Sequence, residues 1–170
     1  MDERREDVAK GIADFSLPRW HEIPNVGLYL EQTAQYVSEY LSCLGDFSLT
    51  GSMISNYVKK DLISNPVKKR YDREQIAYLF FITVAKTVLS MEDIGLLVRL
   101  QRGTYTAQVA YDYFCAELEN VLFYVFGLKE SLDTVGVGCS QTKNMLRNTI
   151  IAAAHKAYLD CYFALLHQEE

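Results

Sequence analysis

The chain has 170 residues, 49% of them hydrophobic, and a formal net charge of −5; it is long enough for one compact domain or two small ones and apolar enough for a genuine core. Charged residues, 23% of the total, break the apolar stretches well short of the roughly 18–20 apolar positions that a spanning helix requires, so no membrane segment is expected. The opening MDERREDVAKGIADF is charged, with no apolar run or small-residue cleavage site, so no export signal is expected and a cytoplasmic location is predicted.

Residues 1–28 contain Pro18 and Pro24 around Trp20-His21-Glu22-Ile23. Each proline lacks an N–H and disfavours helix in the residue before it, so this segment reads as an arm or extended lead-in. Leu30, Ala34, Val37, Leu41 and Leu44 then recur at helical spacing, with Glu31, Gln35, Ser38 and Ser42 opposite, predicting an amphipathic helix over about 29–44 that stops at Gly45. Thr50 stands where its hydroxyl can cap a second helix, running to about Ile63. Asn65-Pro66 marks a turn, and VKKRY at 67–71 is too short and too basic for a core strand, so it reads as a small exposed wing or hairpin. Asp72 and Gln75 form a capping-box signature for a helix that buries Ile76, Leu79, Phe80 and Val84. Ser90 and Asp93 repeat the signal for a shorter helix with Ile94, Leu97 and Val98 inside, ending near Gly103. Two long apolar helices follow, about 105–126 and 141–167, joined through Gly127, Gly136 and Gly138. Tyr113, Phe114, Leu118, Leu122 and Val125 line the first; Leu146, Ile150, Ala153, Ala157, Cys161 and Leu165 line the second, and the two are expected to pair antiparallel. The result is an all-α chain with minimal β structure, a short wing at most. It divides into an N-terminal arm (1–28), a central unit (29–103) and a helical pair (104–170).

Charge is distributed unevenly over these parts. Residues 1–50 carry four basic against nine acidic side chains, residues 51–103 nine against five, and residues 104–170 four against eight. Only the middle third attracts a polyanion. Within it Ser52, Ser55, Asn56 and Lys59 fall at i, i+3, i+4 and i+7, one polar stripe, with Ile54, Tyr57, Val58 and Leu62 as the apolar stripe behind it. Asparagine can pair bidentately with adenine, serine can donate or accept, and Lys59 and Lys60 supply charge to phosphates. Lys68, Lys69, Arg70 and Arg73 would grip the backbone or a neighbouring minor groove, while Tyr71 reads as a wing anchor whose hydroxyl could also reach a phosphate. A solvated helix face and a solubilising loop would carry the same residues; the stripe and the wing side by side favour duplex DNA.

Other chemistry is poorly represented. Cys43, Cys115, Cys139 and Cys161 are widely separated, with no histidine at ligand spacing, so they read as reduced thiols filling the core, and neither a metal nor any cofactor is expected. His21, His155 and His167 have no partner at a catalytic spacing, which predicts a non-enzymatic protein. Tyr105, Tyr111, Tyr113, Phe114, Phe123, Tyr124 and Phe126 lie around one helix, a spread expected from burial on several sides rather than from a ligand pocket; a small-molecule effector therefore has no named contact.

The runs WHEIPNVGLYLEQ (20–32), LTGSMISNYVKKDLI (49–63) and PVKKRYDREQIAYL (66–79) resemble the bacterial family labelled domain of unknown function eighteen thirty-six, over roughly residues 18–102. That family in turn resembles the MerR-type winged helix-turn-helix regulators, whose pattern falls here on Asn56-Tyr57, Asp61-Leu62-Ile63, Pro66, Arg70-Tyr71 and Ser90-Met91-Glu92-Asp93-Ile94. Ser55 stands where those regulators carry a phosphate-binding arginine, Asp61 where they carry glycine, and the wing is shorter. The resemblance implies a MerR-like DNA-binding unit over 29–103, with the helical pair as a dimerisation and possible sensing region. The function expected is that of a sequence-specific, homodimeric transcriptional regulator, a repressor acting by occupancy of its site. The alternative is a protein–protein interaction module that keeps the helix-turn-helix fold.

Overall fold

The computed structural model describes residues 3–168 and forms seven α-helices among them: α1 Glu3–Lys10, α2 Leu30–Leu41, α3 Gly51–Lys59, α4 Arg73–Ala85, α5 Met91–Thr104, α6 Ala107–Val125 and α7 Gln141–Gln168. Among the described residues, pairing of β type is confined to two isolated bridges, Leu28 with Tyr71 and Val67 with Arg70. The all-α expectation is met.

The core is organised by α4. Sequence periodicity assigned it one apolar face, but every residue from Gln75 to Ala85 is buried. A helix apolar on all sides has to be enclosed, and here α2, α6 and α7 pack around it. Tyr36 and Tyr40 from α2 meet the Phe80 ring edge-on, and Phe80 in turn lies against Tyr111 of α6. A single apolar cluster runs from Val8 to Ala157.

The caps read from sequence form as expected. The Thr50 hydroxyl accepts the Met53 N–H, Asp72 accepts the Gln75 N–H while Gln75 accepts the Asp72 N–H, and Ser90 accepts the Asp93 N–H. The first amphipathic helix ends in a 3-10 turn at Ser42–Leu44 followed by Gly45 at φ 88°, and the Ser38 hydroxyl bridges the Leu49 N–H and C=O to close the link to α3.

Three expectations are corrected. First, the N-terminal segment is not extended throughout: Glu3–Lys10 is helical, and Val8, Ile12, Phe15 and Leu17 are buried. Second, α3 stops at Lys59 rather than near Ile63, because Asp61 takes a left-handed φ of 56° and the Leu62 and Asp61 N–H groups bond back to the Tyr57 and Val58 carbonyls, closing a Schellman turn. Third, α6 and α7 run parallel. Tyr105 meets Ser140, Tyr113 meets Lys143, Glu117 meets Arg147 and Phe126 meets Tyr158, the numbers rising together. The connection over 126–140 can extend to roughly 50 Å, ample to return along the ~28 Å of α6. Asn120 straps it to the helix, bonding the Asp133 N–H and C=O and the Lys129 ammonium. Of the four thiols, Cys115 is buried, Cys43 and Cys161 are half-buried and Cys139 is exposed, so one of them is core filler in the full sense.

Candidate nucleic-acid interface

On α3 and its C-cap Lys60 the side chains of Ser52, Asn56, Lys59 and Lys60 are exposed and Ser55 is half-buried, while Ile54 and Tyr57 are buried beneath them. The amphipathic reading of this helix therefore matches its packing. The polar stripe faces outward because the apolar one is held against the core, and Leu62 and Ile63 continue that anchoring past the helix end.

The wing residues form a two-residue hairpin. Val67 and Arg70 exchange both backbone hydrogen bonds, 3.1 and 3.0 Å, across Lys68 and Lys69 at φ 51° and 63°. Positive φ at both central residues is the type I′ geometry, whose twist matches that of the flanking chain. Tyr71 follows and exchanges bonds of 2.9 and 2.8 Å with Leu28, tying the hairpin to the segment that leads into α2.

The ten residues singled out in the sequence fall into two groups. Lys59, Lys60, Lys68 and Lys69 are exposed and make no ion pair with any described residue, and Ser52, Ser55 and Asn56 lie on α3 N-terminal to Lys59. Arg70, Tyr71 and Arg73 hold the hairpin in place. The Arg70 guanidinium donates to the Val26 carbonyl (3.3 Å) and the Tyr29 hydroxyl (3.2 Å) and stands 5.0 Å from the Tyr29 ring centre. Arg73 donates through Nε and Nη2 to the Ile23 carbonyl, at 3.1 and 3.0 Å. Tyr71 is buried, which raises its hydroxyl pKa above the usual phenol range. Glu31 also bears on this surface: its carboxylate lies close against Gly51 in the first turn of α3, where it complements the positive end of the helix.

A second feature was not legible as a site. Between α4, α5, α6 and α7 lies an open cavity of about 480 Å³, to which Tyr105, Tyr111, Tyr113 and Phe114 contribute, four of the seven aromatics whose spread around one helix suggested plain burial. Of the rest, Phe126 is in the core, Phe123 half-buried and Tyr124 exposed. The cavity draws on four helices and the returning loop, so no local sequence pattern marks it.

Residues 18–114, more than half of the chain, match the family described as a domain of unknown function (DUF1836). No curated protein and no solved structure matches the chain.

Proposed function

Because the chain belongs to the DUF1836 family, whose description names no activity, we propose from the geometry of its own basic face that it is a sequence-specific duplex-DNA-binding regulator, a repressor acting as a homodimer. One observation carries this reading: Lys59, Lys60, Lys68 and Lys69 are exposed without carboxylate partners on a capped helix and a rigid hairpin, within a chain of net charge −5. Exposed cations without carboxylate partners, held on ordered backbone, are suited to phosphates, while Ser52 and Asn56, one turn apart on the same helix, offer the hydrogen-bonding groups that read base edges. The order of α2, α3, hairpin and α4, with Leu28 paired to Tyr71 behind the hairpin, supports a MerR-like winged helix-turn-helix arrangement. Exposed Leu159 and Phe163, one turn apart on α7, support a dimer through the C-terminal helices.

Salt dependence of binding to fragments of the source genome tests the reading. Lys59→Ala and Lys68→Ala are each expected to shallow the log–log salt slope by about 0.9, the signature of one lost phosphate contact. Slopes identical to that of the unsubstituted chain would remove this face from consideration, and absence of duplex binding at low salt would leave it to a protein partner. Arg70 and Arg73 are unsuitable for this test, since truncating either releases the hairpin from Val26, Tyr29 or Ile23.

A further inference from the structure

We propose that the cavity between α4, α5, α6 and α7 is a binding site for a small apolar monocarboxylate, with its ring or acyl body inside and its carboxylate at Lys143. The site is independent of the DNA-binding reading. At about 480 Å³ the cavity falls in the range of roughly 300–1,000 Å³ that holds small molecules, and it far exceeds the voids left by imperfect packing, which are rarely larger than a water.

The walls select an apolar body. Tyr78, Phe81, Leu97, Val98 and Phe114 are buried at the cavity surface. The polar groups among them are already satisfied by one another: the Tyr78 hydroxyl donates to Gln101 Oε1 (2.6 Å), and Gln101 Nε2 donates to the Tyr105 carbonyl (2.9 Å). Asp112 is engaged by the lead-in, its carboxylate accepting the Trp20 N–H at 2.9 Å. A polar ligand body would find no partners here and would leave its own groups desolvated.

One end is different. Lys143 stands 5.3 Å from the Tyr113 ring centre, donates to the Gly138 carbonyl at 3.0 Å and has no carboxylate partner among the described residues. Two of its three ammonium protons remain for a ligand. The Tyr113 hydroxyl is enclosed by protein, and desolvation pushes its pKa up to about 12, so it adds no negative charge beside Lys143. The neighbouring acids are neutralised already: Glu117 pairs with Arg147, Asp133 with Lys129. Lys143 also lies in the first turn of α7, whose positive end adds to the attraction for an anion. Gly136 allows the loop to approach, since a Cβ there would come within 3.4 Å of both Lys143 Nζ and the Tyr113 ring. An ammonium at one end of an otherwise apolar cavity matches a single carboxylate on a hydrophobic frame.

Calorimetric titration of the full chain with 2-naphthoate and octanoate, and with the neutral 2-naphthalenemethanol and 1-octanol, tests the site. Saturable binding of either carboxylate is expected, with the matching alcohol weaker by roughly ten- to a hundredfold, as befits one charge-assisted hydrogen bond. Lys143→Met should abolish that preference, and Ala110→Trp, which fills the cavity from α6, should abolish binding of both. Should Ala110→Trp fail to fold, Ala107→Trp, at a half-buried lining position in the first turn of α6, serves instead, and Trp20, packed 6.5 Å from Tyr111 of the wall, gives a fluorescence signal in the unsubstituted chain. Failure of both carboxylates to saturate, equal affinity for acid and alcohol, or a preference that survives Lys143→Met would overturn the proposal.

Discussion

Lys68 and Lys69 occupy the two positions of the hairpin where a side chain is least welcome. Left-handed backbone costs an L-residue roughly 1–2 kcal/mol, and type I′ turns accordingly favour Asn-Gly. Here the turn is Lys-Lys, at φ 51° and 63°. Gly127 shows what relief looks like: it sits at φ 80° in the Schellman turn that ends α6, the same position that Asp61 fills at φ 56° after α3. The hairpin tip thus displays two charges at the expense of backbone preference, which fits a surface retained for what it contacts. Replacing the pair, Lys68→Asn with Lys69→Gly, is expected to raise stability by about 1 kcal/mol while shallowing the salt slope of duplex binding by about 1.8. Urea denaturation and a salt titration on the same variant separate the two effects, and a fall in stability would contradict the turn geometry.

At the scale of elements, the most informative contact joins the lead-in to α6. Arg19 and Glu119 form a two-pronged pair at 2.9 and 2.6 Å, Glu119 also accepts the Leu17 N–H at 3.0 Å, and the Tyr111 hydroxyl donates to the Pro18 carbonyl at 2.7 Å. A short 3-10 turn at Trp20–Glu22 satisfies part of the backbone between the two prolines, and α6 satisfies the groups around its start, the Leu17 N–H, the Pro18 C=O and the Trp20 N–H. Glu119→Ala removes three acceptor contacts at a mostly buried carboxylate and is expected to cost about 2 kcal/mol, with a red shift of Trp20 emission as Asp112 and Tyr111 lose their hold on it. An unchanged emission maximum would mean that the lead-in stays docked without Glu119. These contacts also mark the boundary of what sequence reading can reach. Caps at Thr50, Asp72 and Ser90 were legible because a side-chain oxygen meets an N–H three residues on, a purely local event. Helix α1 was missed because ERREDVAK shows little apolar pattern of its own and is held by packing on α7. The parallel run of α6 and α7 was missed because direction is set by distant pairs, Tyr113 with Lys143 and Glu117 with Arg147, that no spacing predicts. Site residues divide the same way: exposure of Lys59 and Asn56 followed from helical period, whereas the anchoring roles of Arg70 and Arg73 depend on Tyr29 and Ile23, far off in sequence.

At the scale of the whole molecule, the cavity and the basic face are linked through Arg102. Tyr78 lines the cavity, its ring lies 4.9 Å beneath the Arg102 guanidinium, and Arg102 reaches on to the Leu62 carbonyl, 3.4 Å away, in the turn that ends α3. From the other end of α4, Asp72 continues directly from Tyr71 of the hairpin. A ligand pressing on Tyr78 therefore bears on Arg102, a side chain that bridges α5 to the end of the proposed reading helix. Proximity of this kind does not by itself constitute coupling; coupling is a free energy, and it must be reciprocal. The expected outcome is that saturating 2-naphthoate changes duplex affinity by roughly five- to a hundredfold, and that duplex changes naphthoate affinity by the same factor. Arg102→Ala should leave naphthoate affinity in the absence of DNA unchanged, because Arg102 is not part of the cavity lining, while bringing the factor toward one. Four titrations close this cycle. A factor of one in the unsubstituted chain would separate the two sites, and a factor that persists in Arg102→Ala would move the connection from α5 to the α4–hairpin junction, where Tyr71 and Leu28 hold the backbone together.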